Sequence, residues 1–203
     1  MKKTILFISI IFIMVGCSSS KITATNWVSD DFKNEPIDKI LIFANTEDRD
    51  LQMAFEKETA AYLTQQGITS LQTHVTFPDL TYKEVITQEE INSFINDCQE
   101  KNISKILFAN KKSISVDTVA VKSLNNYMNS LQPLIIDGPD QSDVELETEE
   151  ITTYIVEAAV YDINKTTEDK PIATTTVTAS NVESLDQIKD RLLKEIKKLF
   201  KNN

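Results

Sequence analysis

The chain has 203 residues, with 21 Lys and Arg against 31 Asp and Glu, one His, and a formal charge of −10. That acidity argues against a nucleic-acid partner, since neutralising phosphates needs clustered cations and the one basic run, Lys189 to Lys201, alternates with acids. It also disfavours a wide electrostatic contact with anionic lipid, and two cysteines and three glycines rule out a disulfide framework and a glycine-rich phosphate loop.

In chain order, the first element is a signal. Lys2-Lys3 precede a largely apolar run from Ile5 to Val15, eleven positions long. A helix needs about 20 residues to cross ~30 Å of hydrocarbon, so this run is too short to remain as a span. With Met14-Val15-Gly16-Cys17 and Ser18-Ser19-Ser20 behind it, the segment resembles a bacterial lipoprotein signal, cleaved after a small residue and before its cysteine. The resemblance implies lipidation of Cys17, by diacylglycerol on the thiol and an acyl chain on the new amino terminus, and an effectively permanent hold on the membrane. It also implies the outer membrane in a Gram-negative cell, because Ser18 is not an acid. Removing residues 1 to 16 takes Lys2 and Lys3 with them, leaves 187 of the 203 residues and moves the charge from −10 to −12.

Residues 17–35 are polar and lack sustained periodicity, which predicts a lipidated flexible tether reaching roughly 60 Å when extended. Within it, Trp27, Val28 and Phe32 are expected to pack on the flank of the domain. Residues 36–203 then read as a single α/β domain. Lys39-Ile40-Leu41-Ile42-Phe43-Ala44 is a short apolar run suited to a strand buried on both faces. Leu51, Phe55, Thr59, Tyr62 and Leu63 form one helical face ended by Gly67. A strand is predicted over Thr69 to Phe77, then a helix opened by the capping box Thr87-Gln88-Glu89-Glu90 and carrying Ile91, Phe94, Ile95 and Cys98. Lys105-Ile106-Leu107-Phe108-Ala109-Asn110 echoes the first strand, placing the two in equivalent positions of one parallel sheet. Residues 111–122 alternate as a continuation or a further strand, and Ile151 to Ile163 with Pro171 to Ser180 read as a hairpin. A closing helix from near Ser180 bears Leu185, Ile188, Leu192, Ile196 and Leu199 on one face. The expected fold is α/β, a mixed β-sheet of about five strands (βαβαβ then a β-hairpin) with three helices packed on it.

Catalytic and metal chemistry finds little footing. His74 is the one histidine, so a triad or an imidazole-rich zinc site cannot be assembled, and Cys98 falls at an apolar helix position where a thiol serves as a small buried hydrophobe. No catalytic residue, cofactor or metal ligand is expected. The unusual internal stretch is 123–150, an acidic insertion without Lys or Arg. Its acids do not follow the calcium-loop spacing. Two readings of it stand: an exposed flap docking a partner through Tyr127, Met128, Leu131, Leu134, Ile135 and Ile136, or a mobile acidic insertion.

The element order from Ile37 to Phe200, with Phe55-Glu56 in the first helix, Gly67 at its end and Ile106-Leu107-Phe108 after the second, resembles bacterial envelope lipoproteins. Their periplasmic domain is like the amino-terminal domain of the Tol-system translocation protein and of the curli-secretion lipoprotein. The resemblance implies a non-catalytic role in assembling envelope complexes. The expected partners are therefore the membrane, through lipid on Cys17, and another envelope protein. A small-molecule or cell-wall-fragment binder and a carboxylate-dependent hydrolase are the alternatives.

Overall fold

The computed structural model describes residues 20–130, 146–165 and 170–201. In chain order these form β1 (Lys21–Val28), α1 (Asp30–Asn34), β2 (Lys39–Asn45), α2 (Arg49–Gln65), β3 (Thr69–Gln72), α3 (Thr73–Thr76), α4 (Gln88–Glu100), β4 (Lys105–Ala120), α5 (Leu124–Ser130), β5 (Thr148–Asp162), β6 (Ala173–Ser180) and α6 (Leu185–Phe200). The strands make one mixed sheet in the order β1-β6-β5-β4-β2-β3. The three at the β3 side are parallel, and the remaining pairings are antiparallel. The fold is α/β, as the sequence predicts.

The echo between β2 and β4 has a direct structural meaning. Phe43, Ala44 and Asn45 lie opposite Phe108, Ala109 and Asn110 in the parallel register. Successive side chains of a strand point to opposite faces, so each of these apolar runs feeds two cores. Ile40, Ile42, Ala44 and Leu107 meet Phe55 and Leu63 of α2 and Ile188, Leu192 and Ile196 of α6 on one face. Leu41 and Ile106 meet Cys98 of α4, with Phe94 and Ile95 beside them, on the other. Helix α4 begins with the capping box at Thr87 and Glu90. Gly67 has φ +86°, a left-handed conformation that ends α2 and costs glycine little.

Three expectations need correction. The segment behind Cys17 is not a tether up to Glu35, because residues 21–28 are a sheet strand paired along their whole length with β6. The segment Lys-Ile-Thr-Ala-Thr-Asn-Trp-Val alternates residues of two faces: Ile22, Ala24 and Val28 pack against the larger core, and Asn26 donates to the buried Glu195 carboxylate of α6 at 3.1 Å. Thr23, Thr25 and Trp27 take the opposite face, where Trp27 is 52 % exposed. Phe32 of α1 is buried edge-on against Phe200, ring centroids 5.3 Å apart, and Ser29 caps that helix by accepting from the Phe32 N–H. The sheet consequently has six strands instead of five. Second, the strand predicted over Thr69 to Phe77 stops at Gln72 and turns into α3, where Thr73 donates to the Ile42 carbonyl at 2.7 Å. Third, the last helix starts at Leu185 rather than near Ser180, and Leu185 itself is exposed.

Truncating Phe32 to Ala removes the buried ring that ties α1 to α6 and is expected to cost about 3–5 kcal/mol in urea unfolding, the range for large-to-small core changes. A flexible tether would show no loss.

Candidate functional site

The most distinctive surface is the pair β4 and β5. Asn45 is the last residue of β2 to pair, opposite Asn110, and Ser180 is the last of β6, opposite Thr153. The Asn181 N–H still bonds the Thr152 carbonyl at 3.0 Å, and beyond it β4 and β5 continue alone from Asp117↔Ile151 to Ala120↔Thr148, with a bulge between Lys111 and Ser113 behind them. Those four rungs make a two-stranded arm of about 14 Å at ~3.4 Å per residue. Isolated two-stranded ribbons are marginal in water, so this one needs closure at its end.

Asn126 closes it. The residue is 5 % exposed and behaves as a piece of backbone: its Nδ2 donates to the Val121 and Glu147 carbonyls at 2.8 and 2.7 Å, and its Oδ1 accepts from the Glu147 N–H at 2.9 Å. Val121 N–H adds a further bond to the Glu147 carbonyl at 2.9 Å. Ser123 caps α5 by accepting from the Asn126 N–H at 3.1 Å, and the Glu147 carboxylate accepts from the Asn125 side chain at 3.3 Å. The part of the 123–150 insertion that is described is therefore built structure. Leu124, Tyr127 and Met128, spaced i, i+3 and i+4 and so on one helical face, are exposed by 75 %, 61 % and 58 %. Of the docking residues expected from sequence, Tyr127 and Met128 sit together here, while Leu131, Leu134, Ile135 and Ile136 lie outside the described residues.

A second feature is the groove beneath α4, about 1280 Å³ in volume. Phe43 packs on Phe108 and Phe94 at centroid separations of 5.2 and 5.9 Å, and Phe77 on Phe94 at 5.3 Å, giving an aromatic wall. Tyr161 lines it too, and Lys101 lies 5.6 Å from the Phe77 ring centroid. Cys98 is fully buried nearby, and burial pushes its thiol up to about 12, so it stays a neutral hydrophobe.

His74 pairs with the fully buried Glu56 of α2. Glu56 accepts from the His74 Nδ1 at 2.6 Å, the His74 N–H at 3.0 Å, the Ala44 N–H at 3.2 Å and the Gln52 Nε2 at 2.9 Å. All its bonding capacity is spent inside the fold, so it latches α2 to the end of β2 and to α3. Sequence reading missed this latch because His74 was expected in a strand. Among the described residues no three His, Cys, Asp or Glu side chains converge as a metal site, and no helix is long and apolar enough to cross a membrane.

No family model and no curated protein matches the chain. Among solved structures it is similar to the PelC dodecamer of Paraburkholderia phytofirmans, at 11 % identity and a TM-score of 0.43 over 88 % of this chain and 96 % of that one. It is also similar to the lipoprotein GNA1162 of Neisseria meningitidis, at 15 % identity and a TM-score of 0.38 over 81 % of this chain and 99 % of that one. Neither likeness is close enough to transfer a role.

Replacing Asn126 with Ala is expected to loosen the arm tip alone. Amide exchange at residues 121–128 and at Glu147 should accelerate by at least about tenfold, the loss of one or two net hydrogen bonds, while the global unfolding midpoint stays in place.

Proposed function

We propose that this chain is a lipid-anchored protein of the bacterial cell envelope, held to its membrane through Cys17 and acting by contact with another envelope protein instead of by catalysis. The outer membrane is its place in a Gram-negative cell. The signal-like segment before Cys17 supports the anchor, and the resemblance of the element order from Ile37 to Phe200 to envelope-lipoprotein domains supports the non-catalytic role. The observation that carries the reading is the position of β1. Pairing with β6 starts at Lys21, so only Ser18, Ser19 and Ser20 separate the lipidated residue from the sheet. At ~3.6 Å per residue Cys17 lies within about 14 Å of Lys21, which replaces a 60 Å tether with a domain standing at the membrane surface.

The contact surface we assign to the protein partner is the free edge of β1. Ser29 N–H bonds the Ile172 carbonyl at 2.8 Å in the β1–β6 register, so the odd residues of β1 face β6. The N–H and C=O groups of Ile22, Ala24, Asn26 and Val28 point away from the sheet. This edge is eight residues long, without proline or bulge, and an extended segment adds to such an edge as a further strand. The groove beneath α4 supports a second reading, the binding of a small apolar or cell-wall-derived molecule against its aromatic wall.

Changing Cys17 to Ser should abolish lipid labelling and membrane sedimentation. In the lipidated chain, Ala24→Pro removes only an outward N–H and should keep cooperative unfolding while losing the crosslinked envelope protein; Thr25→Pro removes an inward N–H and should destabilise the fold itself. A crosslinked partner retained by the Ala24 variant would place the contact elsewhere.

A further inference from the structure

The outward edge of β1 is complementary to itself. Two identical copies related by a two-fold axis meet through one shared patch, so that residue i faces residue j and j faces i. An antiparallel pair of β1 strands has this symmetry, with the axis normal to the sheet. Centred on Thr25, the pair sets Ile22 opposite Val28 of the second copy, Thr23 opposite Trp27, and Ala24 opposite Asn26. The outward N–H and C=O groups of Ile22, Ala24, Asn26 and Val28 then all fall in hydrogen-bonded pairs. Centring the pair on any other residue of β1 leaves some of those groups unpaired.

The side chains agree with that register, since directly opposite residues share a face. On the helix-covered face Ile22 meets Val28 on both sides of the axis, and both pack against the larger core, which thus continues into the second copy. On the other face the exposed Trp27 comes over Thr23, and Thr25 meets its own copy, pairings of the aromatic and β-branched kind that stabilise sheets. At each end Lys21 falls opposite Ser29 and next to Asp30, which holds Lys33 at 3.6 Å and keeps its side chain 91 % exposed.

Charge and chain path leave this edge open to a second copy. Residues 20–29 carry one charge, Lys21, and no acid, in a chain with 31 Asp and Glu, so two acidic copies meet here with little repulsion. Beyond Val28 the chain turns inward across the end of the sheet: Lys165, in the link between β5 and β6, bonds Asp31 and Glu35 at 2.8 and 2.6 Å, and Phe32 is buried on Phe200. Among the described residues no element lies outside β1 in the sheet.

We propose that the strand added to β1 is β1 of a second copy, in the antiparallel register centred on Thr25, joining two six-stranded sheets into one. This names the occupant of the edge assigned above and rests on that assignment. A contact confined to one strand edge is small beside the ~1,000 Å² of a stable interface. The edge therefore stays open in the dilute, separated chain, and the pair forms where copies are crowded on one membrane.

The test places a thiol on the axis. Opposed Cα atoms of a non-hydrogen-bonded antiparallel pair are ~4.5 Å apart, a separation that a disulfide spans, whereas position 23 lies roughly 14 Å from its own copy in this register. Cys98 is fully buried and stays out of the reaction. Full chains lipidated on Cys17 and carrying either Thr25→Cys or Thr23→Cys, exposed positions on one face, are mildly oxidised in intact envelopes. Thr25→Cys should give at least about tenfold more covalent dimer, at twice the chain mass, than Thr23→Cys, and adding Ala24→Pro should remove it. Equal dimer from the two positions is random collision and overturns the proposal. A Thr25→Cys disulfide to a different protein overturns the second copy and leaves the β1 edge as the contact surface. No adduct at Thr25→Cys, with a crosslinked envelope protein still captured by the Ala24→Pro chain, overturns the pairing and the edge assignment together.

Discussion

The pairing of β1 with β6 turns the residues behind Cys17 from chain into sheet, and the rest of the arrangement depends on it. Eight consecutive residues are in register, the core side of β1 is closed by Ile22, Ala24 and Val28, and Asn26 reaches Glu195 on α6. Burial opposes the charge on Glu195, but hydrogen bonds from Lys198 and Asn26 and the nearby Arg191 hold its pKa below the usual carboxylate range. At the far end of β1, α1 is fastened by Phe32 on Phe200 and by Lys165, which bonds Asp31 and Glu35 at 2.8 and 2.6 Å and is raised by those bonds. Each contact holds β1 and α1 in place at the edge of the sheet.

One face of the sheet is covered by α2 and α6, whereas the other is covered by α4 only over the parallel strands. Over β1, β6 and β5 the second face carries Thr23, Thr25, Thr174, Thr176 and Thr178, β-branched groups that tolerate water and explain why a face without a covering helix is stable in it. Thr176 there donates to Glu157 at 2.9 Å, and Lys112 pairs with the same carboxylate. The arm projects from one end of the sheet, and the aromatic groove runs along the face covered by α4.

Sequence alone showed the elements whose own residues carry the signal. The apolar runs of β2 and β4, the face of α2 and the Thr87–Glu90 box are local, and the structure has them in place. β1 escaped because three of its eight side chains are Thr or Asn on a half-exposed edge, where alternation is softened by small polar groups. The end of β3 escaped because tertiary partners set it: the Ile42 carbonyl for Thr73 and the Glu56 carboxylate for His74, 18 residues away. Asn126 and Glu147 are 21 residues apart and follow no period, so the closure of the arm was not legible, although Tyr127 and Met128 were singled out.

The claim beneath all of this is that β1 belongs to the sheet with one edge bonded and one edge free. Amide hydrogen exchange resolved by residue in β1 reads it directly. Thr23, Thr25 and Trp27 should be protected by β6, and Ile22, Ala24, Asn26 and Val28 should exchange far faster, in strict alternation. Uniformly rapid exchange from Lys21 to Val28 would return this segment to a tether and contradict the account.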